Sequence, residues 1–478
     1  MFECFEYNNF EFFSDYSLLY LQKMTSFKDI IYMSVLVSTI CVGHFVRKIQ
    51  DRNLRKWAYS IIGFIVVLLV SGRHIVYSIA LVFFNYLIIL FVDRRICHWA
   101  SFYFCFLFLI FSRTCSYFHL YSPPDTNAVQ MILTLKMIGL AFELVAKSHP
   151  SQNIVSNSHQ KICKPSLLDM YHYSFCYAGI LVGPYFTYQT YRDMIRCPYD
   201  HIIPFGKFLK ECLKVIPLYI ALYLISSLVF PQAFIGSEEI RKNSIIYKLT
   251  YMMGVFFTFR MKMYLGFVLG ECVCIMAGIG CYPSFGNPVS GAGLKNTKSI
   301  RSWMEKDCCE YESTDFNFEA IRNVNVYQCE FARNLRFSIR NWNMTIQYWL
   351  AVYVYKQFPI KVLKIPVTML TSAVWHGVNP GYYISLLNVP LVIMAQDQME
   401  KAIRDKLSES ARLVYDWISW FMTMFLFSYL IVGFLILDAT STYLFWKSIY
   451  FIGHVMMLSF ILIGYVISVS YKNSMKLD

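Results

Sequence analysis

Charged residues are scarce in this chain: they make up 15% of a sequence that is 57% hydrophobic and 18% aromatic. Soluble domains contain about 25% charged residues, and a soluble protein of this composition would expose adhesive apolar surface. The hydrophobic residues come in runs of membrane-spanning length. They do not form the alternating segments of about ten residues that are typical of a membrane β-barrel. The composition therefore predicts an all-α polytopic membrane protein.

A single basic domain is also lacking, although the formal net charge is +13. The lysines and arginines flank the apolar runs, which argues against a nucleic-acid partner and favours contact with anionic lipid headgroups. Basic loops follow the first and third predicted spans, at 47–56 and 94–95. The positive-inside rule places both loops in the cytosol and the acidic amino-terminal segment in the lumen.

Zinc-ligand spacing is absent from the 15 cysteines. The pairs Cys272/Cys274 and Cys308/Cys309 are too close together, and no matching Cys/His set accompanies them. Most cysteines lie in apolar segments, so we expect reduced, membrane-buried thiols and no metal site. No cleavable signal peptide is visible, and the first span is expected to serve as the signal anchor.

The apolar runs predict about eleven transmembrane or re-entrant helices in one integral-membrane domain, residues 1–478. This estimate rests on twelve apolar runs, some of them re-entrant candidates, with approximate bounds 30–46, 57–70, 75–92, 98–111, 128–147, 213–230, 249–279, 342–358, 366–375, 380–394, 417–437 and 443–470. Glycine and proline within 178–188 indicate a broken or re-entrant helix. The long run 249–279 is expected to form two tilted or bent pieces. Residues 286–330 are predicted to be a polar insertion on an aqueous side.

Several catalytic signatures are missing. The sequence has no Gly-x-Ser-x-Gly elbow, no His-Glu-x-x-His zinc helix and no Walker loop. No histidine is followed five positions later by aspartate, which excludes the His-x4-Asp arrangement of soluble-type glycerolipid acyltransferases. Serine, zinc and nucleotide chemistry are therefore not indicated.

Two polar residues at predicted membrane depth are the leading functional candidates: Asn343, in the stretch 340–350, and His376, in the stretch 372–383. Ionisable residues at this depth commonly face a cavity or a partner. Histidine is suited to proton transfer near neutral pH, and an asparagine amide can donate a hydrogen bond to a developing oxyanion. These groups suit metal-free acyl transfer to a hydroxyl. On residue type alone, both could equally be hydrogen-bonded core residues.

A second polar pair, Lys136 and Glu143, lies seven positions apart on one face of the predicted helix 128–147. The pair indicates either an ion pair or a basic group that lines an anion path. A membrane transporter with a relay of His376, Lys136 and Glu143 is therefore an alternative function. Internal repeats of the kind that mark transporter halves are not visible.

Residues Trp-Asn-Met-Thr at 342–345 and Ala-Val-Trp-His-Gly at 373–377 resemble the two signature regions of the membrane-bound O-acyltransferase family. Stretches at 125–127, 166–169, 181–186, 259–264 and 277–283 are similar to the lysophosphatidylinositol acyltransferase branch of that family. The resemblance implies a helical fold around an intramembrane reaction chamber. It also implies that His376 is catalytic and that Asn343 is its partner across the chamber.

The resemblance further implies that fatty acyl-CoA is a co-substrate, that no other cofactor is needed, and that the protein is a multi-pass protein of the endoplasmic reticulum. The implied acceptor is lysophosphatidylinositol, acylated at sn-2 with a polyunsaturated chain. Trp342, Trp375, Arg260 and Lys262 are predicted to bind substrate, the last two through phosphate, unless they are helix-end charges that reach the interface. Another lysophospholipid or a protein remains an alternative acceptor, and the oligomeric state is not indicated.

Overall fold

The structure is a computed structural model that describes residues 27–148, 164–196, 202–295 and 314–474. The predicted lumenal amino-terminal segment lies outside these residues, as does the middle of the predicted polar insertion. The α-helices of the described residues are α1 (Phe27–Val46), α2 (Arg52–Ser71), α3 (Ile75–Phe91), α4 (Cys97–Thr114), α5 (Pro124–Ser148), α6 (Leu167–Ser174), α7 (Tyr188–Arg196), α8 (Phe205–Val229), α9 (Glu238–Lys242), α10 (Ile245–Met276), α11 (Val326–Glu330), α12 (Leu335–Asn341), α13 (Met344–Leu350), α14 (Lys364–His376), α15 (Pro380–Leu387), α16 (Val389–Ala402), α17 (Glu409–Ile436), α18 (Ala439–Ser448) and α19 (Ile452–Ser474).

Long apolar helices dominate this list and confirm that the chain is an all-α polytopic membrane protein. Among the described residues, 7 segments are long and apolar enough to cross a membrane: Arg52–Phe91, Cys97–Phe118, Pro124–Ala146, Phe205–Val229, Ile245–Met276, Glu409–Ile436 and Ile452–Ser470. Other predicted segments are shorter. For example, α14 has 13 residues, or about 20 Å of helix, which does not span a hydrocarbon core of about 30 Å.

Several predicted spans differ from the observed helices; the span predicted at 380–394, for example, is divided between α15 and α16. The run 249–279 does not divide, because α10 is one helix of 32 residues. It contains no proline, so every residue can supply an N–H to the helical hydrogen-bond ladder. Conversely, the single span predicted at 443–470 is divided into α18 and α19 by Tyr450 and Phe451, whose φ angles are 54° and 50°. A left-handed backbone cannot continue a right-handed helix.

The chain forms two compact units. Unit 1 contains the described residues up to 217 together with those of 265–323 and 343–357, and unit 2 contains those of 218–264, 324–342 and 358–478. The single functional domain expected from the sequence stays a prediction.

Unit 1 has α5 as its most deeply buried membrane helix, with Leu133 and Phe142 fully buried. Residues 175–187, which include most of the predicted broken or re-entrant helix 178–188, are an almost entirely buried irregular segment between α6 and α7. Gly63 of α2 lets the helix backbone approach this segment. A Cβ at Gly63 would lie 1.7 Å from the carbonyl oxygen of Phe175. The irregular backbone is thereby enclosed by protein, as its membrane depth requires.

Unit 2 has a continuous apolar core. Its fully or almost fully buried members include Met252, Val255, Phe256, Val392, Ala395, Leu426, Tyr429, Val432 and Phe445. Lipid tails are as apolar as these side chains, so close packing and internal hydrogen bonds hold such a core together. One such bond joins the Tyr429 hydroxyl to His454 Nδ1 at 2.6 Å.

Two short antiparallel strand pairs form in the described residues around the predicted insertion, one of which joins the two sides of its undescribed part. Strand β1 (Tyr282–Pro283) pairs with β4 (Phe316–Asn317), and β2 (Pro288–Val289) pairs with β3 (Gly293–Leu294). Ala320, Ile321 and Asn323, which follow β4, are each 1% exposed. The described parts of the insertion are therefore packed into the protein and are not simply a solvated loop.

Candidate functional site

Asn343 immediately precedes α13 and adopts a left-handed backbone conformation, with φ 47° and ψ 53°. The predicted span 342–358 therefore does not start as a continuous helix at Trp342. The carboxamide of Asn343 does not cap α13. Within the described part of the chain it has no hydrogen-bond partner, although the residue is half-buried. An amide donor is therefore available to a ligand.

A buried network in unit 1 holds the turn at Asn343. The carbonyl oxygen of Asn323 accepts the N–H of Met344 at 2.6 Å. The Asn323 side-chain oxygen accepts the Thr345 hydroxyl at 2.8 Å, and Thr345 in turn accepts the N–H of Tyr185 at 3.1 Å. Asn323 and Thr345 are 1% and 0% exposed. The backbone that follows Asn343 is thus fixed from outside its own helix.

Glu271 anchors this network to α10, because its Oε1 accepts the N–H of Asn323 at 2.6 Å. Charge-assisted hydrogen bonds are shorter and stronger than those between neutral groups. Beyond Leu350 the helix continues as a π-helical turn, Ala351–Tyr355, in which the N–H of Lys356 reaches the carbonyl of Ala351. Such turns are rare and frequently occur at functional sites.

His376 is the last residue of α14 and is half-buried in unit 2. Its ring centroid lies 4.9 Å from that of Phe434, at 80°, and 5.8 Å from that of Tyr382. Trp375 packs on the ring at 4.9 Å. These aromatic contacts set the orientation of the imidazole. Gly377 makes room for them, since a Cβ there would lie 2.5 Å from Tyr382 Cε2.

The helix that carries Tyr382 is braced against α17. The N–H of Gly381 donates to the carbonyl of Leu437 at 2.9 Å. A Cβ at Gly381 would lie 2.1 Å from the carbonyl oxygen of Gly433. Because Gly381 has no side chain, α15 approaches α17 closely enough for both Tyr382 and Phe434 to contact the His376 ring.

The two predicted tryptophans have different environments. Trp342 is half-buried, and its ring lies 5.3 Å from Tyr264 and 6.4 Å from Phe259, stacked at 22° on the latter. Trp375 is 7% exposed. Trp342 has the more accessible indole, whereas Trp375 supports the imidazole of His376.

Arg260 is held by a carboxylate of its own unit. Its Nε and Nη2 donate to the two oxygens of Glu330 at 2.8 and 3.2 Å, and the Tyr264 hydroxyl donates to Glu330 at 2.7 Å. This bidentate pair gives Arg260 a structural partner, and its predicted contact with phosphate stays a prediction. Lys262 is half-buried two positions further along α10.

Lys136 and Glu143 do not form the predicted pair. The fully buried Lys136 ammonium donates to the carbonyl of Tyr173 at 3.3 Å and lies 4.6 Å from the centre of the Phe186 ring. The Glu143 carboxylate accepts the N–H groups of Tyr188 and Gln189 at 2.9 and 3.1 Å, at the start of α7. Free N–H groups at a helix start attract a carboxylate, which explains why Glu143 binds there.

The predicted site residues are divided between the units: Asn343 belongs to unit 1, and His376, Trp342, Trp375, Arg260 and Lys262 belong to unit 2. The expectation that Asn343 faces His376 stays a prediction. Sequence reasoning missed Asn323, Thr345, Tyr382 and Phe434, because their contacts join residues that are distant in the chain. Among the described residues, no group of His, Cys, Asp and Glu side chains could hold a metal ion.

Comparison with known proteins agrees with the signature residues. The profile of the membrane-bound O-acyltransferase family matches residues 118–437. A membrane-bound acylglycerophosphatidylinositol O-acyltransferase of Xenopus laevis is 34% identical over 460 residues, which cover 92% of this chain and 94% of the relative. The human protein of that description is 34% identical over 91% of this chain and 93% of its own length. The Drosophila melanogaster protein of that description is 34% identical over 94% of this chain and 94% of its own length.

Proposed function

The chain belongs to the membrane-bound O-acyltransferase family, and we propose that it acylates the sn-2 hydroxyl of lysophosphatidylinositol with a polyunsaturated fatty acyl group from acyl-CoA. The observation that supports this proposal most strongly is the 34% identity, over 92% of this chain, to a relative named as an acylglycerophosphatidylinositol O-acyltransferase. Acyl-CoA is the co-substrate, and the proposed reaction needs no metal or bound cofactor. We place this phospholipid remodelling in the endoplasmic reticulum membrane, on the resemblance to the family.

In the proposed reaction, neutral His376 takes the proton of the acceptor hydroxyl while its oxygen attacks the thioester carbonyl carbon. The new C–O bond forms, the C–S bond breaks, and the proton passes from the imidazolium to the departing CoA thiolate. Asn343 donates a hydrogen bond from its carboxamide to the carbonyl oxygen as negative charge develops there. No acyl-enzyme forms. The unpaired amide of Asn343 and the aromatic support of His376 favour these roles.

The substrate contacts are proposed for the remaining predicted residues. The accessible indole of Trp342 packs against substrate, and Trp375 acts through its contact with His376. Lys262 contacts the substrate phosphate. Arg260 contacts it through guanidinium N–H groups that do not bind Glu330.

A competition among acceptors tests the proposal. Microsomes that contain the protein are given equimolar lysophosphatidylinositol, lysophosphatidylserine and lysophosphatidylcholine with mixed acyl-CoAs, and the products are measured by mass spectrometry. We expect phosphatidylinositol with a polyunsaturated sn-2 chain to dominate. His376→Gln is the inactive reference, and His74→Gln, outside the candidate site, is the matched histidine control.

A dominant product from another lysolipid would contradict the proposed acceptor while leaving acyl transfer intact. Acyl transfer to a protein, with all three lysolipids unused, would indicate a protein acceptor. Absence of any acyl-CoA-dependent product from well-expressed protein would contradict the proposed reaction itself.

A further inference from the structure

Unit 1 contains a cavity of about 270 Å³ between the start of α2, the residues that lead into α6, and α7. Its lining includes Lys56, Lys164, Arg192 and Arg196, with Asp169 and Tyr188. None of its lining residues is among those predicted to take part in acyl transfer. We call it the basic cavity.

Among the described residues, the lining of the basic cavity carries more positive than negative charge. Asp169 is the one carboxylate in that described lining, and it lies 4.0 Å from the Lys56 ammonium. The other oxygen of Asp169 accepts the N–H and hydroxyl of Ser166 at 3.2 and 2.9 Å, within the capping box that begins α6. The carboxylate is therefore shared between a lysine and a helix cap.

The other three cations have no ion pair within the described residues. Lys164 donates to the carbonyl of Leu90 at 3.1 Å, and Arg192 lies over the Tyr188 ring at 5.9 Å. Arg192 and Arg196 are one helical turn apart on α7, where like charges repel. Partial desolvation, together with Arg192 and Arg52, lowers the pKa of Arg196, against the opposing effect of Asp193. An anionic ligand would relieve this repulsion.

The surroundings of the basic cavity place it at the edge of the membrane. Lys56 precedes Trp57, which is 42% exposed, and the apolar part of α2 begins there. Leu167 and Leu168, beside the cavity residues of α6, are 40% and 47% exposed. Exposed tryptophan and leucine next to lysine are typical of the headgroup level of a bilayer. The positive-inside rule assigns this level to the cytosolic face, since the basic loop 47–56 adjoins it.

We propose that the basic cavity binds the headgroup of an anionic phospholipid that carries phosphate monoesters, with its acyl chains beside Leu167 and Leu168. The lining has four cations and one carboxylate, an excess of three positive charges with histidine neutral. A phosphodiester lipid supplies only one negative charge. Each phosphate monoester adds about 1.5 to 2, so a headgroup with one or two monoesters beside its phosphodiester carries about 2.5 to 5 negative charges and can neutralise the excess. Arginine and lysine bind such groups through charge-assisted hydrogen bonds.

Binding of a short-chain lipid to the full-length protein in detergent tests this proposal without measuring catalysis. The probe is dioctanoyl phosphatidylinositol 4,5-bisphosphate, and dioctanoyl phosphatidylcholine is the neutral reference. The double variant Arg192→Gln/Arg196→Gln should bind the probe about tenfold more weakly or worse, because two charge-assisted contacts are lost. The control Lys207→Gln/Lys210→Gln removes the same charge from exposed positions on α8 and should bind within about twofold of wild type.

Lys164→Gln is a second variant that leaves α7 untouched, and it should also weaken binding. Equal affinities of wild type and both cavity variants for the probe would overturn the proposal. Free coenzyme A also carries phosphates, so competition with it distinguishes a lipid headgroup from the acyl donor as the ligand of the cavity. If coenzyme A displaces the lipid probe, and the double variant raises KM for acyl-CoA, the cavity belongs to the acyl donor and the lipid assignment is wrong. Either result, displacement by coenzyme A or failure to bind the lipid probe, would leave the proposed acyl transfer intact.

Discussion

Asn343 combines two features that a purely structural residue rarely has. Its backbone is left-handed, a conformation that costs most residues about 1–2 kcal/mol but that asparagine and glycine adopt more readily. Its half-buried amide has no protein partner within the described residues. The buried Asn323–Thr345 pair maintains this conformation. The amide is thus presented by a rigid support, as a catalytic donor requires.

Replacement by glycine separates the amide from the backbone. Asn343→Gly keeps the left-handed turn without strain but removes the donor, so we expect acyl transfer to fall about 100-fold or more, with unchanged thermal stability in detergent. Asn343→Ala should lose both activity and about 1 kcal/mol of stability. Initial rates in microsomes and melting curves measure the two effects. Asn341→Ala, two positions earlier, is the control, and an active Asn343→Gly variant would contradict the donor role.

Thr345 is a positioning residue in this account. Thr345→Val removes the hydroxyl that bonds Asn323 and Tyr185 and leaves a buried N–H unpaired, which costs about 1–3 kcal/mol. We expect a lower kcat with little change in the KM for lysolipid, and recovery in Thr345→Ser, which keeps the hydroxyl. Thr371→Val, which loses only a bond to Val367 within its own helix, should behave like wild type. If Thr345→Ser is as impaired as Thr345→Val, the hydroxyl is not the cause.

The residue types of the candidate site could be predicted from the sequence, but their geometry could not. Asn343 and His376 stand out in the sequence because polar side chains at membrane depth are energetically costly and commonly functional. The turn at Asn343 depends on Asn323, which is separated from it by twenty positions that include α11 and α12. Arg260 was predicted to contact phosphate, yet its carboxylate partner Glu330 lies 70 positions away. Partners of this kind depend on tertiary structure.

For individual helices, the apolar runs of the sequence predict where a helix lies better than they predict where a helix is interrupted. The predicted span 75–92 matches α3, Ile75–Phe91, almost to the residue. The interruptions differ because a charge within a run, such as Arg260, does not break a helix when a neighbouring carboxylate pairs with it. A left-handed pair such as Tyr450 and Phe451 breaks a helix although neither residue is glycine or proline.

The close approach of α15 to α17 is a test at this scale. Gly381→Ala would place a methyl group against backbone atoms of Gly433 and Leu437, which cannot rotate away as a side chain could. We expect a loss of about 1–3 kcal/mol of stability and a lower kcat, because Tyr382 and Phe434 would no longer support the His376 ring. Melting curves and initial rates measure both.

Gly236→Ala is the matched control, since the nearest atoms to its new methyl group would be Ile436 side-chain carbons at 3.8 Å. It should retain wild-type stability and rate. Equal behaviour of the two variants would show that the contact between α15 and α17 does not matter for the site.

For the whole molecule, composition and loop charge together determine a testable topology. The apolar content establishes a multi-pass membrane protein, and the basic loops predict that its first and third connections are cytosolic. The same rule assigns the basic cavity to the cytosolic face. Composition could not predict the division into two units, because that division follows contacts between residues far apart in the chain.

Cysteine labelling of sealed microsomes tests this orientation. Asn53→Cys, in the exposed start of α2, should react with a membrane-impermeant maleimide in intact vesicles. Tyr117→Cys, after α4 at a position that is 85% exposed, should react only after permeabilisation. Wild-type protein provides the background from the native thiols. The opposite pattern would reverse the topology and remove the cytosolic assignment of the basic cavity.

The central claim is that His376 performs acyl transfer to lysophosphatidylinositol. The most direct measurement is the initial rate of phosphatidylinositol formation from lysophosphatidylinositol and acyl-CoA by His376→Ala and wild type, at equal protein levels in microsomes from cells without a competing activity. The account predicts a rate for His376→Ala that is indistinguishable from that of microsomes without the protein. A well-expressed His376→Ala variant with the full wild-type rate would contradict it.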